Sequence, residues 1–111
     1  MSYIPEAGDL IWLRFDPQAG HEQAGRRLAL VLTPKTYNSA AGLAVVCPVT
    51  SKTKGYPFDV ALPPDCSVQG VVQADQLRSL DWRARGAVYI YSAPAAVREE
   101  VASKVEALLL P

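Results

Sequence analysis

Two polar stretches of the sequence contain side chains that can bind a phosphate group and move a proton. From position 20 the chain reads Gly-His-Glu-Gln-Ala-Gly-Arg-Arg, and from position 48 it reads Pro-Val-Thr-Ser-Lys-Thr-Lys. Arg27 offers a planar fork of N–H donors that fits two phosphoryl oxygens, and Thr50 offers a short hydroxyl donor. Glu22 or His21 can accept a proton at neutral pH. These residue types suit phosphate-ester chemistry if the fold brings the two stretches together.

The common catalytic templates are missing from the sequence. His21 is the single histidine, so a two-histidine acid–base pair is impossible, and no cysteine or carboxylate cluster accompanies it at the spacing of metal ligands. The sequence has no Gly-rich phosphate loop before a helix, no serine nucleophile elbow and no dinucleotide-binding fingerprint. We therefore expect neither a metal ion nor another cofactor.

Composition predicts one soluble globular domain that spans residues 1–111, because half of the residues are hydrophobic and a fifth are charged. No apolar stretch reaches the roughly 18 residues that a membrane span needs, and the start lacks a basic leader and an apolar signal core, which favours a cytoplasmic location. Eleven basic and eleven acidic residues cancel. Any site for a polyanion must therefore be a local patch. Basic residues cluster at Arg26 and Arg27, at Lys52 and Lys54, and at Arg78, Arg83 and Arg85.

Short strands must position the two polar stretches. Apolar, β-rich runs predict strands at 9–15, 28–32 and 43–49, with further short strands around 58–62, 70–80 and 87–91. Residues 16–27 are polar and have neither a helical nor a strand period, which predicts a long functional loop between the first two strands. Pro34, Tyr37, Asn38 and Gly42 predict a turn in a hairpin-like connection. Cys47 should be a buried thiol, and Cys66 should lie in a loop.

Only the end of the chain has a helical period. Val97, Val101, Val105 and Leu108 recur at spacings of four, four and three, which places them on one helix face. Pro94 suits the first helical turn, with the residue one or two positions before it as the cap. Several short strands followed by one helix predict a mainly β fold, a small and strongly curved antiparallel barrel with a C-terminal helix packed on it. The bulky aromatic residues are expected to be core or dimer contacts: Trp12, Phe15 and Trp82.

The two polar stretches belong to a longer pattern. Together with Gly-Asp-Leu-Ile-Trp from position 8 and Asp-Gln-Leu-Arg-Ser-Leu-Asp-Trp-Arg-Ala-Arg-Gly from position 75, they resemble the MazF/PemK/Kid toxins of bacterial toxin–antitoxin pairs, in the same order and at matching spacing. The resemblance runs from about Gly8 into the C-terminal helix. It implies a Src-homology-3-like barrel of the PemK/CcdB kind that works as a homodimer. It also implies a cognate antitoxin of the MazE kind, with an acidic and partly disordered arm.

The resemblance implies a sequence-specific, metal-independent endoribonuclease that cuts single-stranded mRNA and so inhibits translation. Its catalytic pair matches Arg27 and Thr50, and its loop glutamate matches Glu22, with His21 as the other candidate base. The ribose 2′-hydroxyl would attack the neighbouring phosphorus, giving a 2′,3′-cyclic phosphate and a free 5′-hydroxyl. The family usually has proline directly after the arginine, whereas this chain has Leu28. That departure affects how rigidly the strand begins.

Single-stranded RNA fits such a site because unpaired bases can be stacked and read. The polar side chains that could contact it are Gln23, Arg26, Asn38, Ser51, Lys52, Lys54, Tyr56, Gln73, Gln76, Arg83 and Arg85. Two other functions are compatible with a barrel of this kind: a non-catalytic, gyrase-binding toxin like CcdB, or a simple single-stranded RNA-binding module. The chain ends Ala-Leu-Leu-Leu-Pro, without the aromatic tail of the gyrase-binding toxins. The sequence does not disclose the RNA cleavage motif.

Overall fold

The computed structural model describes residues 3–15, 25–52 and 55–111. Over these ranges the chain forms seven strands and two α-helices. Their bounds in chain order are β1 (Asp9–Arg14), β2 (Arg26–Val31), α1 (Lys35–Ala41), β3 (Ala44–Thr50), β4 (Asp59–Ala61), β5 (Val71–Gln73), β6 (Arg78–Leu80), β7 (Val88–Ser92) and α2 (Ala95–Leu109). A 3₁₀ turn, Ala74–Gln76, separates β5 from β6. No helix in the described ranges combines the length and the apolar character that crossing a membrane requires.

The strands form one antiparallel sheet in the order β4-β5-β3-β2-β1-β7. Strand β3 is the branching strand of the sheet. One edge of β3 pairs with β2, and the other edge is divided between two partners. Its first half, from Ala44 to Val46, pairs with β6, and its end, at Val49 and Thr50, pairs with β5. The prediction of a mainly β, antiparallel fold with a C-terminal helix is confirmed.

Both faces of the central strands are buried, which explains why their sequences are continuous apolar runs. Along β1, Leu10 belongs to the cluster beneath α2, whereas Ile11 and Leu13 point into a second cluster on the opposite face. Val97 and Val101 of α2 close the first cluster. The second is closed by a different set of side chains, including Phe15, Leu80 and Trp82. Alternation along each strand therefore places two small cores on opposite faces of one sheet.

Some predicted boundaries are wrong. The predicted turn at 34–42 is helix α1, which begins after Pro34 in an extended conformation and ends at Gly42, with φ +73°. Proline and glycine are common at the two ends of a helix as well as in turns. Pro34 and Gly42 therefore mark the start and the end of α1. The predicted strand 70–80 is two strands separated by the 3₁₀ turn. Pro94 itself caps α2, in place of Ser92 or Ala93.

Candidate functional site

A groove of about 430 Å³ opens where β2 begins and β3 ends. Among the described residues, its lining comprises two cationic, three polar and three largely apolar side chains. The lining residues are Trp12, Arg27, Leu28, Val49, Thr50, Ser51, Lys52 and Gln69. The two polar stretches of the sequence thus share this groove, as far as the structure describes them.

Strand register places Arg27 and Thr50 at the same end of the sheet. In the antiparallel pair of β2 and β3, Ala29 lies opposite Pro48. Moving two residues toward the start of β2 and two residues toward the end of β3 leads from this pair to Arg27 and Thr50. Arg27 lies within β2, opposite Leu13 of β1, so the prediction that it belongs to the loop is wrong. The strand ladder continues to Arg26 and fixes the backbone that carries the guanidinium.

The Thr50 hydroxyl is oriented by its own strand end. The backbone N–H of Lys52 donates to Thr50 Oγ1 at 3.2 Å. Since this bond uses a lone pair of the oxygen, the hydroxyl proton stays available for a phosphoryl oxygen. Arg27 is exposed, and no side chain or carbonyl in the described part of the chain binds its guanidinium. Both donors are therefore available to a ligand in the groove.

The groove carries positive charge. Arg27 and Lys52 line it, and none of its described lining residues is acidic. The thiol of Cys47 in β3 is fully buried, and burial raises its pKa to about 12, so it stays protonated and is not a nucleophile. The described ranges contain no group of three or more His, Cys, Asp or Glu side chains that could hold a metal ion. The described groove residues supply hydrogen bonds and positive charge to an anion.

Other predicted site residues are spread over the molecule. Four of them, His21, Glu22, Gln23 and Lys54, lie outside the described residues. Ser51 and Lys52 line the groove, whereas Arg26, Tyr56, Gln73, Gln76 and Arg83 do not. The Arg83 guanidinium lies over the Trp82 ring, 4.7 Å from the ring centroid.

The prediction that Asn38 binds RNA is wrong. Its side chain is completely buried, with Nδ2 donating to the carbonyls of Pro5 and Thr33 at 2.9 Å each and Oδ1 accepting from Thr33 Oγ1 at 2.7 Å. Trp82 Nε1 donates to the Asn38 carbonyl at 3.0 Å. These bonds tie α1 to the segments around it, and because the side chain is fully buried no base edge can reach it.

Arg85 is half-buried, and one nitrogen of its guanidinium binds the main chain. Its Nη1 atom donates to the carbonyls of Arg14 at 3.0 Å and Phe15 at 2.6 Å. Arg14 reciprocates by donating from Nη2 to the Ala84 carbonyl at 2.6 Å. Because β1 ends at this point, the pair of arginines fastens the strand end that lies opposite the start of β2.

Four groove residues, Trp12, Leu28, Val49 and Gln69, were not predicted to bind a substrate, and two of them carry hydrogen-bonding groups. Trp12 was expected in the core or at a dimer contact, and it does pack against the cluster beneath α2, but it is only partly buried and also forms part of the groove wall. Gln69 was not considered because it stands far from Thr50 in the sequence, in a loop. The glycine that follows it is the available signal, since glycine in a strand-like run often marks a close approach of two backbones.

Comparisons with known proteins agree on one family. Residues 6–109 match the model of a PemK-like, MazF-like toxin of type II toxin-antitoxin systems. The chain is 52% identical over 85 residues to the endoribonuclease toxin MazF of Escherichia coli K12, covering 77% of this chain and 76% of that one. It is 37% identical over 110 residues to the E. coli endoribonuclease PemK, covering 94% and 81% of the two chains.

Solved structures give the same result. The crystal structure of MazF from Deinococcus radiodurans is 58% identical, has a TM-score of 0.89, and aligns over 97% of this chain and 98% of that chain. A MazE–MazF structure from the same organism is 51% identical with a TM-score of 0.88, aligned over 98% of each chain. The fold and the order of its elements are therefore shared with these toxins.

Proposed function

This chain belongs to the family of PemK-like, MazF-like toxins of type II toxin–antitoxin systems and is an endoribonuclease toxin; from this premise we propose that it cuts single-stranded RNA in the groove lined by Arg27 and Thr50. The observation that carries the proposal is the meeting of these two donors, with Lys52, at one sheet end. A scissile phosphate needs this combination of charge and directed hydrogen bonds.

The proposed reaction is a transphosphorylation. The ribose 2′-oxygen forms a bond to phosphorus while the bond from phosphorus to the 5′-oxygen breaks, and the products are a 2′,3′-cyclic phosphate and a 5′-hydroxyl. The proton of the 2′-hydroxyl passes to a base, and the leaving 5′-oxygen takes up a proton. Glu22 and His21 are the candidates for the base. Arg27 binds two phosphoryl oxygens and Thr50 donates its hydroxyl proton as their negative charge grows. No step requires a metal ion.

The proposal includes two protein partners. An antitoxin with an acidic arm suits the groove, since the cations that bind phosphates also bind carboxylates, and the related D. radiodurans toxin has been solved as MazE–MazF. A second copy of the chain is the other partner. Val88 and Tyr89 of β7 are 45% and 47% exposed, apolar surface that dimerisation can cover. The site of action is the cytoplasm, where the substrate mRNA is found.

Cleavage in excess chelator tests the proposal. Purified protein is incubated with an end-labelled transcript, and the ends of the fragments are mapped. We expect 5′-hydroxyl and 2′,3′-cyclic phosphate ends, and a loss in kcat of about 10²- to 10³-fold for Arg27→Ala, the usual effect of removing a donor to a developing oxyanion. Lys35→Ala on α1 is the matched control because it removes the same charge far from the groove.

Each alternative outcome has a defined meaning. Cleavage by Arg27→Ala near the wild-type rate contradicts the role of the groove. RNA that is retained but not cut in any buffer indicates a binding module instead of a nuclease. Absence of both cutting and retention favours the gyrase-binding class.

A further inference from the structure

The side chain of Gln69 is held in one orientation at the groove wall. Its Nε2 atom donates to the carbonyl of Pro64 at 3.2 Å and to the carbonyl of Cys66 at 3.0 Å. A flipped amide would bring Oε1 against two carbonyl oxygens, so the hydrogen bonds fix which end is which. Gln69 lines the groove, and Oε1 is the end of its amide that these two bonds leave for a ligand.

The loop that carries Gln69 is compact before any ligand binds. The N–H of Leu62 donates to the carbonyl of Gly70 at 2.9 Å, which closes the loop at its base. Inside it, the N–H of Cys66 donates to the carbonyl of Pro63 at 3.1 Å, and the Cys66 side chain is buried in the cluster beneath α2. The acceptor is thus preorganised, which reduces the entropy lost on binding.

Arg27 and Lys52 in the groove carry only donors, and Thr50 and Ser51 carry hydroxyls that can donate, so the amide acceptor of Gln69 differs from them. Arg27, Thr50 and Lys52 can all bind phosphate oxygens. Oε1 of Gln69 repels a phosphate, because a phosphodiester brings only acceptors. The side chain reaches toward the turn at Pro64 and Cys66. A nucleic acid has only two kinds of donor to offer this oxygen, the ribose hydroxyl and the base N–H groups.

We propose that Gln69 reads one base next to the scissile phosphate, its Oε1 accepting a hydrogen bond from an exocyclic amino group. Adenine, cytosine and guanine carry such a group, whereas uracil offers only an N3–H flanked by two carbonyl oxygens, which repel Oε1, so uracil is disfavoured. Gln69 is then a specificity-determining residue. The inference rests on the proposed function, because it assumes that RNA lies in this groove.

Sequence selection by variants of Gln69 tests the proposal. A random RNA pool is cut by the wild type, Gln69→Met and Gln69→Lys, and the bases around each cut are counted. Lysine keeps a donor for the two carbonyls but has no acceptor, so it separates base reading from loop stability. We expect uracil to be depleted at one position by the wild type and by Ser67→Met, the control on the same loop. Both Gln69 variants should lose this depletion.

Base analogues give an independent measurement at that position. Replacing adenosine by purine riboside, or guanosine by inosine, deletes the amino group without changing the ribose. The wild-type kcat/KM should fall roughly 3- to 10-fold, the equivalent of one hydrogen bond, and that of the Gln69 variants should not change. If Gln69 instead contacts the ribose, the Gln69 variants should cut all sequences more slowly by the same factor, and the base analogues should have no effect on the wild type.

The result separates this inference from the proposed function. If the wild type cuts no RNA, the proposed function fails. If the wild type cuts and both Gln69 variants keep its base preference, only the base-reading role is overturned. That role is also overturned if Gln69→Lys alone keeps the preference, since Gln69 would then merely hold its loop.

Discussion

Replacing Gly70 by alanine would push a methyl group against the strand end that carries Thr50. Gly70 lies at φ +143°, and a Cβ atom built there would be 2.8 Å from the carbonyl oxygen of Thr50 and 2.8 Å from Cγ1 of Val49. Ordinary contacts of a Cβ begin at 3.4 Å, so the backbones must separate by about 0.6 Å. The neighbour is main chain, which cannot rotate away as a flexible side chain does.

Two effects contribute to the expected loss of stability. The backbone conformation at Gly70 is one that residues with a Cβ rarely adopt, which costs about 1–3 kcal/mol, and overpacking costs a similar amount. A total of about 2–6 kcal/mol would lower Tm by about 8–24 °C in a domain of this size, and a stability near the middle of the usual range of about 5–15 kcal/mol leaves it folded at 25 °C. A shift of this size at Thr50 should lower kcat by about 10-fold or more, since a misplacement of about 1 Å can cost 10²-fold.

Gly42→Ala is the control for strain alone. Gly42 also has a positive φ, +73°, but a Cβ there meets nothing within 4 Å. It should lower Tm by about 4 °C, from strain of about 1 kcal/mol, and leave kcat unchanged. Steady-state cleavage of a short RNA at 25 °C and thermal melts of both variants provide the comparison.

A double variant shows whether Gly70 acts through Thr50. In the Thr50→Ala background, the change Gly70→Ala should cause no further loss of kcat, because the group that it displaces is already gone. Our reasoning is refuted if Gly70→Ala keeps the wild-type kcat. It is also refuted if Gly70→Ala lowers kcat by the same factor in the Thr50→Ala background as in the wild type.

Two further predictions concern residues that the structure assigns to the scaffold. Asn38→Leu should lower the free energy of unfolding by about 2–4 kcal/mol, because it leaves the carbonyls of Pro5 and Thr33 without their donor. It should not alter the cleavage motif. A changed motif in transcript mapping would show that Asn38 contacts RNA. Arg85→Gln should lower Tm and kcat, because Arg85 holds the end of β1, while the slope of log Kd against log salt concentration stays as in the wild type; a slope reduced by about one would reveal a phosphate contact.

The parts of the fold that the sequence predicted are those fixed by local pattern. The helical spacing of Val97 and Val101 predicted α2, and both are buried beneath it. The apolar runs predicted β1, β2 and β3 within a few residues. Local pattern does not show which strands pair with each other. Nothing in residues 44–50 indicates that β3 changes partner from β6 to β5 midway, since this depends on contacts between segments distant in sequence.

Bonds from side chains to distant main chain were what the sequence did not reveal near the candidate site: Asn38 is buried and Arg85 is half-buried. Asn38 and Arg85 are residue types that commonly bind RNA, and their neighbours in sequence gave no reason to exclude them. Their side chains satisfy backbone carbonyls of segments far along the chain, Pro5 for Asn38 and Phe15 for Arg85. A polar side chain that completes such a bond is indistinguishable in sequence from one that faces solvent. The meeting of Arg27 and Thr50 could be inferred only from the family resemblance, because it requires the register of β2 against β3.

The leucine at position 28 shows how the chain can hold Arg27 without the usual proline. Proline would fix φ but has no N–H for the sheet, whereas Leu28 lies opposite Trp12 within the β1–β2 ladder and its side chain is buried in the cluster beneath α2. The pairing then continues through Arg27 to Arg26, opposite Arg14, whose carbonyl is held by Arg85. Strand pairing and a buried anchor thus replace the rigidity of a proline ring. The guanidinium is carried by a fixed backbone on one side of the groove, and the Thr50 hydroxyl is oriented on the other, so little ordering is left for the substrate to impose.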